Sequence, residues 1–280
     1  MQNLALVDET FDLNFTSEYH LSIQFSLDGL SFCTLDSIQK KYVQITHHPI
    51  GSGDSPLLVK HLRNFYNEEE KLSGDYKSTQ IIFSSPKATL IPSSYFEKAK
   101  AQKFIDLNFG GSSEKILNNP LSPFSGELAF EIPVRLFDFI TEKHPDISIK
   151  HECIPFIWNA YNAVHADNFL TVLIRKDYIW LVYATKNQLK FINSFSYQSD
   201  DDMLYFIMNV VSTMNIDPEK TPILLEGIAS KKAAIYHRVR QYIKHVQLSS
   251  AHPDYHYSYL FDQIPDGRFV TMLNLQACAL

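Results

Sequence analysis

The stretch from Phe169 to Leu225 constrains this chain more than any other. It opens with Phe169-Leu-Thr-Val-Leu-Ile-Arg175, turns at Lys176-Asp177, and returns through Ile179-Trp-Leu-Val-Tyr183. A second polar turn leads into Gln188-Leu-Lys-Phe-Ile-Asn-Ser-Phe195. Short runs of β-branched, aliphatic and aromatic residues between polar turns read as consecutive strands. Asp200, Asp201 and Asp202 then open a helix over about 201–214, where acids favour the helix dipole. Its Met203, Phe206, Ile207, Val210 and Met214 form one apolar stripe. Pro222 to Leu225 is a fourth strand. Ser230 is placed as the cap of a further helix that turns Ile235, Val239, Tyr242 and Ile243 inward, and Val246 to Leu248 is a last short strand.

The same order occurs near the N-terminus. Leu21 to Leu27 alternates as a half-buried strand does, and Asp28-Gly29 is a hairpin-turn pair because both residues tolerate positive φ. Leu30 to Leu35 returns, and Tyr42 to Thr46 is a third strand. Residues 51–71 form a helix, with Pro56 in its first turn, Leu58, Leu62 and Phe65 on its inner face, and Gly74-Asp75 beyond its end. Thr79 to Ser84 is the fourth strand and Ala88 to Ile91 a short fifth, followed by a helix over about 93–102. Residues 106–126, with Gly110-Gly111, Asn118-Asn119-Pro120 and Pro123, read as a linker or flexible insertion. Glu127 to Ile132 is strand-like, Val134 to Lys143 helical, 147–152 extended, and 157–165 helical. Residues 1–18 read as a loose lead-in with acids at Asp8, Glu9, Asp12 and Glu18, and Phe269 to Leu280 as a docked apolar helix.

Strand, strand, strand, helix, strand, helix thus appears twice at an offset of roughly 145 residues, without sequence identity between the copies. A meander followed by crossover helices gives a mixed α/β sheet with helices on both faces. The division is residues 1–150 and 151–280, two lobes with a cleft between them. This arrangement resembles the actin-like ATPase superfamily, built from duplicated ribonuclease-H-like lobes. The second half looks most like the pilus-assembly branch of that superfamily. The features that carry this likeness are the helix before Phe169, the meander, the turn Leu224-Leu-Glu-Gly-Ile-Ala-Ser230 and the apolar terminal segment. Leu21-Ser-Ile-Gln-Phe-Ser-Leu-Asp-Gly-Leu-Ser-Phe-Cys33 resembles the opening of an uncharacterised bacterial family of this fold, which has no established activity to lend.

The resemblance implies a nucleotide cleft built from three turns. In the first lobe, an Asp-x-Gly-Ser/Thr turn brings backbone N–H groups to phosphate while its acid positions magnesium. Here that place holds Asp28, Gly29 and Ser31, with the glycine directly after the acid, as in an ordinary hairpin. The second phosphate turn is Arg175-Lys176-Asp177-Tyr178, without glycine, and reads as a charged exposed turn. The adenosine turn keeps Gly227 but carries Glu226 in place of a paired glycine, and a carboxylate there would crowd and repel a nucleotide. Glycine is scarce throughout, 9 of 280 residues or about 3%, against roughly 7% in ordinary proteins.

Other chemistry finds less support. Gly53-Asp54-Ser55 sits between a strand and a helix as in Gly-Asp-Ser esterases, but Asp254 and His256 lack the usual Asp-x-x-His spacing and a helix cap explains the motif. A ribonuclease-H nuclease needs several carboxylates around its metals, and the fourth strand ends Phe83-Ser-Ser-Pro86. His47-His48 and His252/His256 show no third metal ligand. A net charge of −6 without a Lys/Arg block argues against nucleic acid. Cys33, Cys153 and Cys278 form no C-x-x-C, which fits a reducing cytoplasm. The N-terminus has no basic residue ahead of its short apolar run, unlike a signal peptide, and no apolar run reaches the roughly 20 residues of a membrane helix.

The leading expectation is a cytoplasmic actin-like pseudoenzyme that binds another, unidentified protein and has lost nucleotide turnover. The alternative is a divergent ATP-binding protein or ATPase using Asp28, Ser31 and Gly227 around magnesium, in a vestigial nucleotide cleft that also carries Gly29 and Glu226. An open cleft with Asp28 facing Glu226 would favour the alternative, and one filled by Phe and Tyr side chains would end it.

Overall fold

A computed structural model describes residues 3–27, 29–50, 55–111, 113–264 and 267–279. The first hairpin forms as its alternation demands. β2 (Tyr19–Ser26) pairs antiparallel with β3 (Gly29–Asp36), Ser26 opposite Gly29, and β4 (Lys41–Pro49) returns along β3. The helix α1 (Ser55–Glu68) sets Leu58 and Leu62 against Leu21, Ile23 and Phe25, then the chain re-enters the sheet as β5 (Ser78–Ser84), parallel to β2. Beyond it lies β9 (Ile149–His151), parallel to β5.

The second sheet repeats this plan. β10 (Asn168–Ile174), β11 (Tyr178–Thr185) and β12 (Gln188–Ser196) form the meander. α5 (Asp200–Thr213) carries the chain to β13 (Ile223–Gly227), parallel to β10, and α6 (Ala234–Val239) carries it to β14 (Val246–Leu248). The spatial order β12-β11-β10-β13-β14 matches β4-β3-β2-β5-β9 position for position. The repeat is one of topology, made by two stretches of unrelated sequence.

Several local expectations are corrected. The lead-in is not loose: β1 (Leu4–Val7) adds to the outer edge of β4, and Asp8 is buried with its carboxylate 2.8 Å from Lys41 Nζ. Burial opposes that charge, but Lys41, Ser258 and Thr10 outweigh it and hold the carboxyl well below the usual range. Within residues 106–126, β7 (Lys115–Pro120) pairs with β8 (Glu127–Ile132), which also pairs with β6 (Ala88–Ile91) in a separate three-stranded sheet. Asn119 explains why an Asn-Asn-Pro run is a strand. Its side chain donates to the Ile149 carbonyl and accepts from the His151 N–H, tying β7 to β9.

The helix expected at 93–102 begins only at Ala101, as α2 (Ala101–Phe109), where Ala101 and Ile105 first supply an inner face. α3 (Val134–Lys143) lies where its pattern puts it. The next helix, α4 (Cys153–Ala163), starts before Ile157, because Pro155 is tolerated within a first turn. Ser230 caps nothing: the residue before α6 is Ala233, and the cap of α5 is Ser199, in a reciprocal box with Asp202. The tail holds one α-helical turn, α7 (Val270–Leu273), and a 3-10 turn at Ala277–Ala279, with Met272 and Leu275 fully buried, and β15 (His256–Tyr257) lies against β4.

The largest apolar core belongs to both sheets. Leu21, Ile23 and Phe25 of the first join Leu173, Trp180, Val182 and Leu224 of the second, with Phe156 and Ile157 of α4 among them. A second core fills the other face of the second sheet, under α5 and α6. Among the described residues no helix is long and apolar enough to cross a membrane.

Candidate functional site

The duplicated topology brings the β2–β3 turn, the β10–β11 turn and the exit of β13 towards one cleft. Between them lies a cavity of about 230 Å³, lined by Gln24, Ser31, His47, Arg175, Arg268 and Phe269 among others. That volume falls below the roughly 300–1,000 Å³ of pockets that enclose drug-sized ligands. Aromatic side chains do not fill it, and Glu226 does not line it.

Of the first-lobe residues, Asp28 lies outside the described residues. Ser31 is buried on β3 and its hydroxyl is 2.9 Å from His47 Nδ1. Gly29 is required by close approach: a Cβ there would stand 2.6 Å from the His48 carbonyl oxygen and 3.1 Å from Pro49 Cα. The glycine therefore has a reason to be present that involves no phosphate.

The turn of the second lobe is exposed only at Lys176 and Asp177. Arg175 and Tyr178 fold inward onto Glu152, the residue between β9 and α4, which is 0% exposed. Arg175 Nε donates to Glu152 Oε2 at 2.7 Å, and Tyr178 Oη donates to Oε1 at 2.6 Å. Burial alone would weaken the guanidinium charge, but Glu152 beside it raises its pKa. Burial and the same carboxylate push the Tyr178 phenol far up. Next to Glu152, His151 is also fully buried. Its Nδ1 accepts from the Cys153 N–H at 3.3 Å, so Nε2 carries the proton given to the Ser85 carbonyl at 3.0 Å.

Glu226, at the exit of β13, is buried and does not line the cavity. It accepts from Thr271 Oγ1 and, at 3.4 Å, from Asn159 Nδ2, which also donates to Ser249 Oγ at 2.6 Å. Burial raises its pKa, against the pull of Thr271, Ser249, Arg175 and Asn159. Gly227 follows with φ +89°, and a Cβ on it would fall 2.0 Å from the Ile174 carbonyl oxygen. Its N–H donates to the Gly267 carbonyl at 3.0 Å, and the Ile228 N–H donates to the Ile174 carbonyl at 3.0 Å. The Gly227 and Ile228 donors of this turn are thus already engaged.

The remaining candidates are not brought together. Gly53 and Asp54 lie outside the described residues, and Ser55 begins α1. His48 stacks on Phe65, His252 on Trp158, and His256 is exposed on β15. Among the described residues no three His, Cys, Asp or Glu side chains converge as metal ligands. Sequence reasoning missed Glu152, Asn159 and Thr271. The available signal for Glu152 was its place directly before the apolar run Cys153-Ile-Pro-Phe-Ile-Trp158.

Duplicated five-strand sheets of this order, joined along a common core with a cleft between their turns, define the actin-like ATPase fold. The chain belongs to the DUF3822 family of proteins of unknown function, which it matches over residues 8–246. A Bacteroides thetaiotaomicron protein with actin-like ATPase fold and unknown function is similar at 24% identity and TM-score 0.75, over 85% of this chain and 93% of that one. A structure described as the PilM–PilN type IV pilus biogenesis complex is similar at 9% identity and TM-score 0.62, over 92% and 97%. The ethanolamine utilization protein EutJ from Carboxydothermus hydrogenoformans is similar at 8% identity and TM-score 0.52, over 96% and 91%. No curated protein matches the chain.

Proposed function

We propose that this chain is a non-catalytic actin-like protein of the cytoplasm that works by binding another protein. The observation that carries this reading is the β13 exit, where the Gly227 and Ile228 N–H groups are bonded to Gly267 and Ile174 and Glu226 is buried against Thr271. A nucleotide seated there would have to break an internal bond to obtain either of these two donors. The Arg175 charge is likewise committed to Glu152.

A partner surface is available elsewhere. Residues 9–19 and the β3–β4 turn enclose a second groove of about 490 Å³, with Phe15 57% and Ile38 74% exposed beside Glu9, Asp12, Glu18 and Asp36. It suits a segment that combines cations with apolar side chains. One of the similar folds, PilM, is described in complex with a second protein, which agrees with a binding role without identifying a partner.

One observation favours the alternative, a divergent nucleotide-binding protein: the cleft keeps an open cavity with Ser31, Lys176 and Arg268 on its walls. Thermal melting with Mg-ATP and Mg-ADP separates the two readings. A ligand at 100 times its Kd adds about 2.7 kcal/mol to stability. No shift at millimolar nucleotide is expected. A saturable shift that disappears in Asp28→Ala or Ser31→Ala would overturn the proposal.

A further inference from the structure

We infer that the two lobes are latched shut by the chain's own residues, which make the bridge a bound nucleotide would otherwise have to make. The latch has three parts. Glu152 is held to the first lobe by its backbone N–H, which donates to the Phe83 carbonyl at 3.0 Å, and to the second by Arg175 and Tyr178. Its two ends are therefore fixed to different sheets. His151 adds to this part, donating to Ser85 while its ring meets the Trp180 ring edge-on at 5.5 Å. Ser194 Oγ on β12 donates to the Pro86 carbonyl at 2.7 Å, a second bond across the joint.

The third part is the segment 267–277. At one end Gly267 and Thr271 bond to Gly227 and Glu226 of the second sheet. At the other, the Leu273 carbonyl accepts from Tyr42 Oη at 2.6 Å and Gln276 donates to Ser22 Oγ at 3.1 Å, both on the first sheet. The apolar core runs continuously between the lobes behind these bonds. Parting the lobes exposes a buried ion pair and splits that core at once, so small displacements have no intermediate resting place. The cleft is a fixed feature of one rigid body rather than a mouth that opens and closes. This deepens the proposed function, since a joint already shut leaves nothing for nucleotide to close. Its test uses ligand-free protein, so the two claims fail separately.

Native-state amide hydrogen exchange on the full chain reads the latch directly. In ligand-free wild type the Gly227 amide, whose acceptor Gly267 belongs to the bridging segment, is expected to be protected within about tenfold of the β10–β11 core amides, because both open only in global unfolding. Exchange at Gly227 about 100-fold faster than in that core would show a joint that opens by itself, and the inference would be overturned. Arg175→Met, which keeps bulk and removes charge, is expected to lower protection at the joint more than along α5. Equal protection at the joint in variant and wild type also overturns it. Should Arg175→Met not fold, Tyr178→Phe removes one bond of the same latch and gives the same comparison.

Discussion

Glu152 and Arg175 meet at 2.7 Å where the carboxylate side chain is 0% and the guanidinium side chain 14% exposed. One belongs to the end of the first sheet and the other to a turn of the second. A buried pair of this kind is expensive to break from one side, because the survivor keeps its charge without its partner. Glu152→Gln is therefore expected to lower unfolding free energy by about 3–5 kcal/mol. Arg175→Met combined with it should cost less than the two single changes added together. Urea unfolding of the three variants at pH 7 checks this, and a Glu152→Gln cost below about 1 kcal/mol would place the pair among ordinary surface bridges.

His151 makes stability depend on acid. Burial lowers its pKa to about 4, although the Glu152 charge and the Ser85 carbonyl pull it partly back. The unfolded imidazole titrates near 6.5, so the unfolded chain takes up its proton first. The contribution of His151 is complete above pH ~6.5 and is lost as pH falls from there to about 4, in all by about 3 kcal/mol. Wild type should therefore lose about that much more than His151→Gln between pH 7 and pH 4. Parallel curves for the two proteins would mean that the ring accepts a proton in the folded state.

The sheets were legible in the sequence and the latch was not, for a physical reason. Strand patterns such as Leu21–Leu27 and Phe169–Ile174 are periodic and local, so their burial shows in adjacent residues. Arg175 reads as an exposed turn charge because nothing near it in sequence has the opposite sign and an inward position. Its partner lies 23 residues earlier. Glu226 reads as a cleft residue for the same reason, since Thr271 and Asn159 reach it only through the tertiary fold. The error at 106–126 is similar: Asn119 looks like a turn residue until β9 supplies its partners.

Gly227 and Gly110 separate backbone conformation from close packing. Both have positive φ, +89° and +79°, but a Cβ at Gly110 meets nothing within 4 Å whereas one at Gly227 meets Ile174 oxygen at 2.0 Å. Gly110→Ala is expected to cost about 1–3 kcal/mol, because φ +79° with ψ 160° is a region that essentially only glycine adopts. Gly227→Ala must also push β13 away from β10 and should exceed about 4 kcal/mol. Chemical denaturation of both proteins without ligand checks the pair. Equal losses would mean that the β13 exit can relax, and that Gly227 is kept for some other reason.

Glu226 gives the opposite pH dependence to His151. Its folded pKa is raised, chiefly by burial, so the native state holds this proton more tightly than the unfolded chain, which titrates near 4.3. Its contribution is complete below that value and is lost as pH rises through the folded pKa. Glu226→Gln keeps an acceptor for Thr271 and cannot ionise, at the cost of a new amide donor beside Asn159. The melting temperature of the variant minus that of wild type should therefore increase from pH 5 to pH 8. A carboxylate kept charged for function, stabilised in its ionised form, would give a difference that stays constant or falls. Melting curves at the two pH values, without ligand, decide whether Glu226 is a buried structural acid or a charged group kept for the cleft.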